Sequence, residues 1–408
     1  MMNSERLLAA KYGAQQMMYW VGYLTIFSFT AVFLLGRGFS ATEIGYVTTV
    51  GAILTILLQV GISSLADRSQ RISLKGILAA LFIGCITAAS LMLLLPKSHI
   101  ATFVGMFTAL SLTATQGTFM TSLCLQYNKA GHKINFGVAR SLGSLGYALA
   151  GFVMGRLTEA FGAEVILPVY CACYSLMLLV LLTMERPVRT VQVPAAAAET
   201  REQPSNMLRF FTRYHRYDVF LLAVISMFFM QMILNTYMIY FIRNYGGTES
   251  DMGTVLFVAA FSEMPAVAIG LKLLRKFGAE MLLRVSSITN LVKCTAMLFI
   301  PNSTYYIALQ VLQFFYSGLY MVASVYFANS IVGEADAVKA QAILAVALSG
   351  VAGIAANIIG GYMVERVPIR IIILMGTAVA AAGVALMFIA TDKRFFKDQV
   401  RDVLRGRE

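Results

Sequence analysis

Twelve stretches of about 20 predominantly apolar residues follow one another along the chain, and a helix of that length is what crosses a hydrocarbon core of about 30 Å. They run at about 12–36, 43–65, 73–95, 99–126, 135–157, 164–184, 217–242, 251–274, 280–301, 303–332, 338–363 and 367–391. Hydrophobic residues make up 59% and charged residues only 13% of the 408, too little polar surface to coat a water-soluble globule. The expected fold is therefore all-α and integral to a membrane, with membrane lipid as its solvent.

The net charge of +12 does not mark a nucleic-acid binder in a chain this apolar, because the basic residues cluster in alternate loops. Arg6 and Lys11, then Arg68, Arg71 and Lys75, then Lys129 and Lys133 precede a dense group from Arg186 to Arg216. Arg275, Lys276, Arg284, Lys339 and a tail from Lys393 to Arg407 follow, whereas the intervening loops hold only Arg37, Lys97, Arg156, Arg243, Arg366 and Arg370. The positive-inside rule then puts both termini and the middle segment in the cytoplasm of a multi-pass plasma-membrane protein. No small-residue cleavage site follows the first run, so the first helix is expected to stay.

Between residues 185 and 216 the apolar signal gives way to Pro187, Pro194, Pro204 and six arginines, which reads as a cytoplasmic linker. It divides the chain into a bundle over 1–184, the linker, a second bundle over 217–391 and a basic tail over 392–408. The tail carries Phe395, Phe396, Val400 and Leu404 among basic residues, as a short interfacial helix or a plain tail would. The halves resemble each other at a displacement of about 208. Phe33, Gly38, Glu43, Gly45, Val47, Val50 and Ala52 face Phe241, Gly246, Asp251, Gly253, Val255, Val258 and Ala260, and Leu65 and Arg68 face Leu273 and Lys276. Two such halves form the ground plan of many secondary transporters, which bind near the midplane between repeats.

Ionisable groups inside a bilayer are costly unless paired or wet, so the few present carry the functional information. Glu263 and Lys293 fall near the middle of the eighth and ninth runs, and Arg140 about a third of the way into the fifth. Glu263, the mid-span carboxylate, is read as a proton carrier, or else as one half of a static pair with Lys293. Arg140 offers a five-donor fork to hydroxyls, a carboxylate or a phosphate, or else satisfies helix-end carbonyls. Gln231, Asn235, Asn290, Gln310 and Gln313 have the spacing to line one cavity or to join helices. Trp20, Tyr147 and Tyr316, with Tyr19 and Tyr237, have rings suited to stacking on a sugar or to anchoring at the interface. Cys85, Cys124, Cys171, Cys173 and Cys294 lie in apolar runs and are odd in number, and His99, His132 and His215 fall between runs. No metal site or cofactor is expected, nor an enzyme, since no nucleophile–base pair or phosphate loop is present.

The segment Phe136-Gly137-Val138-Ala139-Arg140-Ser141-Leu142-Gly143-Ser144-Leu145-Gly146-Tyr147 resembles the signature of the lactose permease-like oligosaccharide/proton symporters, a branch of the major facilitator superfamily. That resemblance implies twelve transmembrane helices in two pseudo-symmetric six-helix bundles, a sugar-binding role for Arg140 and a sugar-stacking role for Tyr147. Leu65-Ala66-Asp67-Arg68-Ser69-Gln70-Arg71 looks like the superfamily's gating loop, with Gln70 where glycine is usual, and implies gating roles for Asp67, Arg68 and Arg71. Counting on from Gly278 puts Lys293 where the branch has a buried arginine. The chain departs from the pattern at Gln310, Gln313 and Tyr316, which stand where the branch has lysine, histidine and its proton-binding glutamate. It departs again at Thr121 or Ser122, where an acid should partner Arg140, and at Ala260, one turn from Glu263.

The resulting expectation is a monomeric secondary transporter that takes up a small polar solute, a saccharide or nucleoside-like molecule, with protons as co-substrate. An exporter of amphipathic compounds, which the 23 methionines would suit, and a non-transporting membrane sensor are the alternatives.

Overall fold

In the computed structural model, which describes residues 2–68, 73–96, 98–185 and 207–396, every regular element is a helix, and no strand occurs among the described residues. The first half comprises α1 (Met2–Phe27), α2 (Thr30–Gly36), α3 (Ala41–Arg68), α4 (Leu74–Leu94), α5 (His99–Lys129), α6 (Phe136–Phe161) and α7 (Ile166–Thr183). The second comprises α8 (Met207–Arg213), α9 (His215–Asn244), α10 (Glu249–Ala296), α11 (Ser303–Leu309), α12 (Leu319–Ser330), α13 (Ala337–Ala345), α14 (Gly353–Arg366) and α15 (Ile369–Thr391). Two π-helical turns, Phe314–Gly318 and Val346–Ala352, lead into α12 and α14.

Among the described residues nine helices are long and apolar enough to cross a membrane, ten when α1 and α2, bent by 44°, count as one span. The expected number was twelve, and two features account for the difference. The 48 residues of α10 would reach about 72 Å, more than twice the core, but Gly278 breaks them with φ 78° and ψ 161°, a left-handed conformation suited to glycine. The expected eighth and ninth runs lie on either side of that break. Helix α5 is too rich in hydroxyl residues to pass on apolarity, yet it forms because those hydroxyls bond within the helix. Ser111 donates to Phe107 O (2.5 Å), Thr115 to Ser111 O (2.8 Å) and Thr121 to Gly117 O (3.0 Å).

The 208-residue repeat is written into the turns. Gly38 and Gly246 both take positive φ, 80° and 72°, and the next residue closes the same bond in each half, Phe39 N to Leu34 O (3.0 Å) and Gly247 N to Ile242 O (2.9 Å). The following helix starts alike. Ser40 N donates to Glu43 Oε2 (2.8 Å) while Glu43 N returns to Ser40 Oγ (3.2 Å), and Thr248 N donates to Asp251 Oδ2 (3.1 Å).

The chain packs as two compact units, one of Met1–Gln192 with Thr236–Phe257, the other of Val193–Asn235 with Val258–Glu408. In the first unit, glycines let α6 and the start of α10 meet backbone to backbone. A Cβ built on Gly253 would lie 2.3 Å from Gly151 O and 2.8 Å from Gly155 Cα. Tyr237 O–H donates to Ala41 O (3.3 Å), and Thr248 O–H to Glu159 (3.1 Å), in the same unit. Buried Arg37 forks onto Glu164 at 2.7 and 2.8 Å and also donates to Thr102 (2.8 Å). Lys11 donates to Thr183 O (2.8 Å) and Lys75 to Leu182 O (3.1 Å), so part of the basic charge caps the end of α7.

In the second unit Arg216 donates to Ala390 O (2.8 Å) and Arg284 to Thr391 Oγ1 (2.8 Å), the same arrangement at the end of α15. The end of the expected linker is helical here, because Phe210 of α8 and the following Tyr214 are buried in this unit's core beside Tyr217 and Phe327. Of the expected tail only Lys393–Phe396, a single 3₁₀ turn, is described. Pro187, Pro194, Pro204 and the remainder of the tail lie outside the described residues.

Candidate functional site

Among the described residues, the candidate site residues gather in two polar clusters inside the spans, one in each unit. In the first, α6 begins at Asn135, whose side chain accepts from Val138 N, and Arg140 follows one turn in. The Arg140 guanidinium lies over the Trp20 ring, 4.0 Å from its centroid, and its Nη1 donates to Ser144 Oγ (2.9 Å) one turn further along α6. Gly143 makes the stack possible. A Cβ there would sit 2.4 Å from the Trp20 ring carbon Cδ1, so any larger residue expels the indole.

Trp20 heads a ladder of rings down α1. Tyr23 lies at 5.2 Å from it and stacks on Phe27 at 4.2 Å, while Tyr19 meets Trp20 edge-on at 5.3 Å. The spacing of four from Tyr19 to Tyr23 to Phe27 keeps them on one helix face. Tyr147 approaches Trp20 edge-on at 6.2 Å, and its hydroxyl is 3.2 Å from Ser28 Oγ. Ser28 stands where α1 gives way to α2, so the bend brings its hydroxyl to the cluster. The first cluster is thus a cation flanked by hydroxyls on an aromatic floor.

The second cluster centres on Lys293, only 2% exposed. Its ammonium donates to Gln313 Oε1 at 3.0 Å and Gln231 Oε1 at 3.5 Å, with the Tyr316 ring 5.8 Å away. Gln231 in turn donates to Asn235 Oδ1 (2.9 Å). Both contacts are to neutral amide oxygens. Glu263 accepts from Ser317 Oγ at 2.7 Å. Ser317 and Tyr316 sit in the π-helical turn Phe314–Gly318, a distortion common at functional sites, and Ser286 Oγ takes the Tyr316 carbonyl (2.6 Å).

Arg140, Trp20 and Tyr147 therefore come together, as do Lys293, Gln313, Gln231, Asn235 and Tyr316. Asn290 instead ties α10 to α9 by donating to Met227 O (2.8 Å), and Gln310 turns back to Tyr306 O (3.0 Å). Of the expected gating residues, Asp67 and Arg68 belong to the last turn of α3, and Arg71 lies outside the described residues. Sequence reasoning missed Ser144, Ser28, Tyr23, Phe27 and Ser317. Ser144 had a signal, since it stands four residues from Arg140; Ser317, 54 residues from Glu263, had none. Among the described residues no group of three or more His, Cys, Asp or Glu side chains has a metal-binding arrangement.

An all-helical membrane fold with charged and aromatic clusters held inside its spans is built as a membrane transporter is, and the family match makes it one of the major facilitator type, which is not an enzyme. The chain belongs to the MFS_1 like family, whose model matches residues 15–373. It is 23% identical over 353 residues to the uncharacterized transporter YwbF of Bacillus subtilis (strain 168), covering 85% of this chain and 84% of that one. It is 24% identical over 255 residues to the maltose permease of Geobacillus stearothermophilus, covering 62% and 63%. Among solved structures, a mutant of the nucleoside transporter NupG matches with a TM-score of 0.79 at 13% identity, covering 95% of this chain and all of that one. A bacterial homologue of the lysosomal transporter Spinster, inward-facing and occupied, matches at 0.66 and 14% identity over 98% of each chain.

Proposed function

We propose that this protein is a proton-coupled uptake transporter for a small polar solute, a saccharide or nucleoside-like molecule, working by alternating access. The observation that carries the solute reading is the Arg140 guanidinium stacked at 4.0 Å on Trp20, with Ser144, Tyr147 and Ser28 hydroxyls beside it. A ring bearing hydroxyls wants an aromatic face for its C–H surface and a fork of donors for its oxygens. The names of the maltose permease and of the nucleoside transporter NupG agree with that class.

Glu263 is the proton carrier in this reading. It is the mid-span carboxylate, half-buried, and accepts from Ser317, so it can exchange a proton without leaving its helix. Lys293 lies in the same unit and contacts solute oxygens together with Gln313 and Gln231 in this reading. The bundle boundaries at 184 and 217 and both termini in the cytoplasm belong to the same proposal, and their support is the distribution of basic residues and the repeat. A monomer as the working form is part of the proposal as well.

The test is solute-induced alkalinisation outside proteoliposomes, with sugars, nucleosides and organic acids as the panel and Glu263→Gln in parallel. One solute should drive proton entry in the wild type and none in Glu263→Gln. An undiminished signal in the variant removes Glu263 from the coupling role, and silence across the panel in the wild type overturns proton-coupled uptake.

A further inference from the structure

Lys293 is a buried titratable side chain that no carboxylate accompanies. It is 2% exposed, and among the described residues its hydrogen bonds go only to two neutral amides, Gln313 Oε1 at 3.0 Å and Gln231 Oε1 at 3.5 Å. The titratable groups facing it are Glu263 and Cys294 of α10 and Tyr316 of the π-helical turn Phe314–Gly318. Glu263 accepts from Ser317 (2.7 Å) and forms no ion pair with Lys293. Burial penalises a charge, and a carboxylate partner is the usual offset that keeps a lysine protonated inside a protein.

The two amides are not equivalent. Gln231 uses its N–H on Asn235 Oδ1 (2.9 Å), which fixes its oxygen toward Lys293. Among the described residues the Gln313 side chain makes no hydrogen bond besides the one to Lys293. A half-turn of its amide exchanges an acceptor for a donor, so this one side chain serves an ammonium through Oε1 and a neutral amine through Nε2. An ionised carboxylate in its place would only accept, and would hold the lysine in its charged form. From Lys293 a polar line runs through half-buried Gln231 to exposed Asn235.

We propose that Lys293 is an exchangeable proton site, an ammonium while Gln313 presents its oxygen and an amine once that amide has turned. On release the N–H bond breaks, its electron pair stays on Nζ, and the proton passes to solvent at the Asn235 end of the line. The second cluster then offers an acceptor where it had offered a donor. Its consequence for solute rests on the cluster being a solute site of a proton-coupled transporter, with the entering proton on Glu263; the exchange at Lys293 does not.

The experiment is nuclear magnetic resonance of the full chain in detergent micelles, with lysine isotopically labelled at Cε and Nζ and no solute present. The Lys293 signal is the one missing from Lys293→Met, and it should pass from the ammonium to the amine position within about pH 6–9. Gln313→Glu should abolish that change and keep the ammonium signal throughout. A Lys293 signal that stays ammonium, or stays amine, over the whole range would overturn the proposal, and so would a Gln313→Glu protein that titrates as the wild type does. If Lys293→Met does not fold, Lys293→Arg serves for the assignment. Proton movement with solute plays no part in this readout. Silence in the alkalinisation assay therefore leaves the exchange standing, and a Lys293 that never titrates leaves Glu263 as the carrier.

Discussion

Substitution of Gly253 by alanine tests how the first unit is held together. The new Cβ would lie 2.3 Å from Gly151 O, 2.8 Å from Gly155 Cα and 3.0 Å from Gly155 N, and all three are backbone atoms that no rotamer change can move aside. Helices α6 and α10 must separate by about 1 Å to restore ordinary contact. Forcing an extra carbon into a packed site costs about 1–3 kcal/mol, and a backbone wall puts this case at the upper end. Alanine returns about 1 kcal/mol through its better helix propensity. The net is roughly 2 kcal/mol, about thirtyfold in the packing equilibrium. For a unit of this size that is a fall in melting temperature of about 4–8 °C.

The chain's single tryptophan, Trp20, lies in the same unit, so its fluorescence during thermal unfolding reads the change directly. Gly61→Ala in α3 is the matched control, because a Cβ there meets nothing within 4 Å and should cause no loss. Gly155→Ala combined with Gly253→Ala should destabilise by less than the sum of the two, since the first already parts the helices. A Gly253→Ala protein that melts at or above the wild type, beside an unchanged Gly61→Ala, would refute the reasoning.

Two further perturbations probe the clusters. Arg140→Lys keeps the charge but loses the planar fork that stacks on Trp20 and reaches Ser144, so the KM of the transported solute should rise about tenfold in initial-rate uptake; an unchanged KM would remove Arg140 from solute contact. Gln313→Leu strips the nearer oxygen from the buried Lys293 ammonium and should lower stability by about 1.5–3 kcal/mol in thermal unfolding. Adding Lys293→Met should recover most of that loss, because the charge that needed a partner is gone; a double variant as unstable as the single would show that Gln313 acts through packing.

Much of the fold is legible without coordinates because hydrogen bonds in lipid must close within a segment, which leaves helices as the answer for long apolar runs. The repeat is legible for a related reason. Gly38 and Gly246 end their helices in a left-handed turn that few other residues tolerate, and Glu43 and Asp251 start the next ones with a side chain fitted to that task. Glu263, Lys293 and Arg140 announce themselves by the cost of charge in a membrane. Helix α5 shows the limit of hydropathy: its threonines and serines read as polar, yet their hydroxyls are spent on carbonyls one turn back.

The chain's order of residues, by itself, determined that this protein is a helical membrane transporter with a handful of charges inside its spans, because those outcomes follow from local periodicity and from the price of polarity in lipid. Tertiary structure decided which residues meet. Trp20 reaches Arg140 across 120 positions because Gly143 leaves the room, Lys293 turns to Gln313 and Gln231, and Ser317 finds Glu263 across 54 positions in a π-helical turn that no sequence period announces. Asn290 and Gln310 have the right residue types and the right spans, yet they bond to backbone carbonyls instead. The physical reason is that an amide is satisfied equally by a carbonyl or a ligand, and only the packing of neighbouring helices settles which one is within reach.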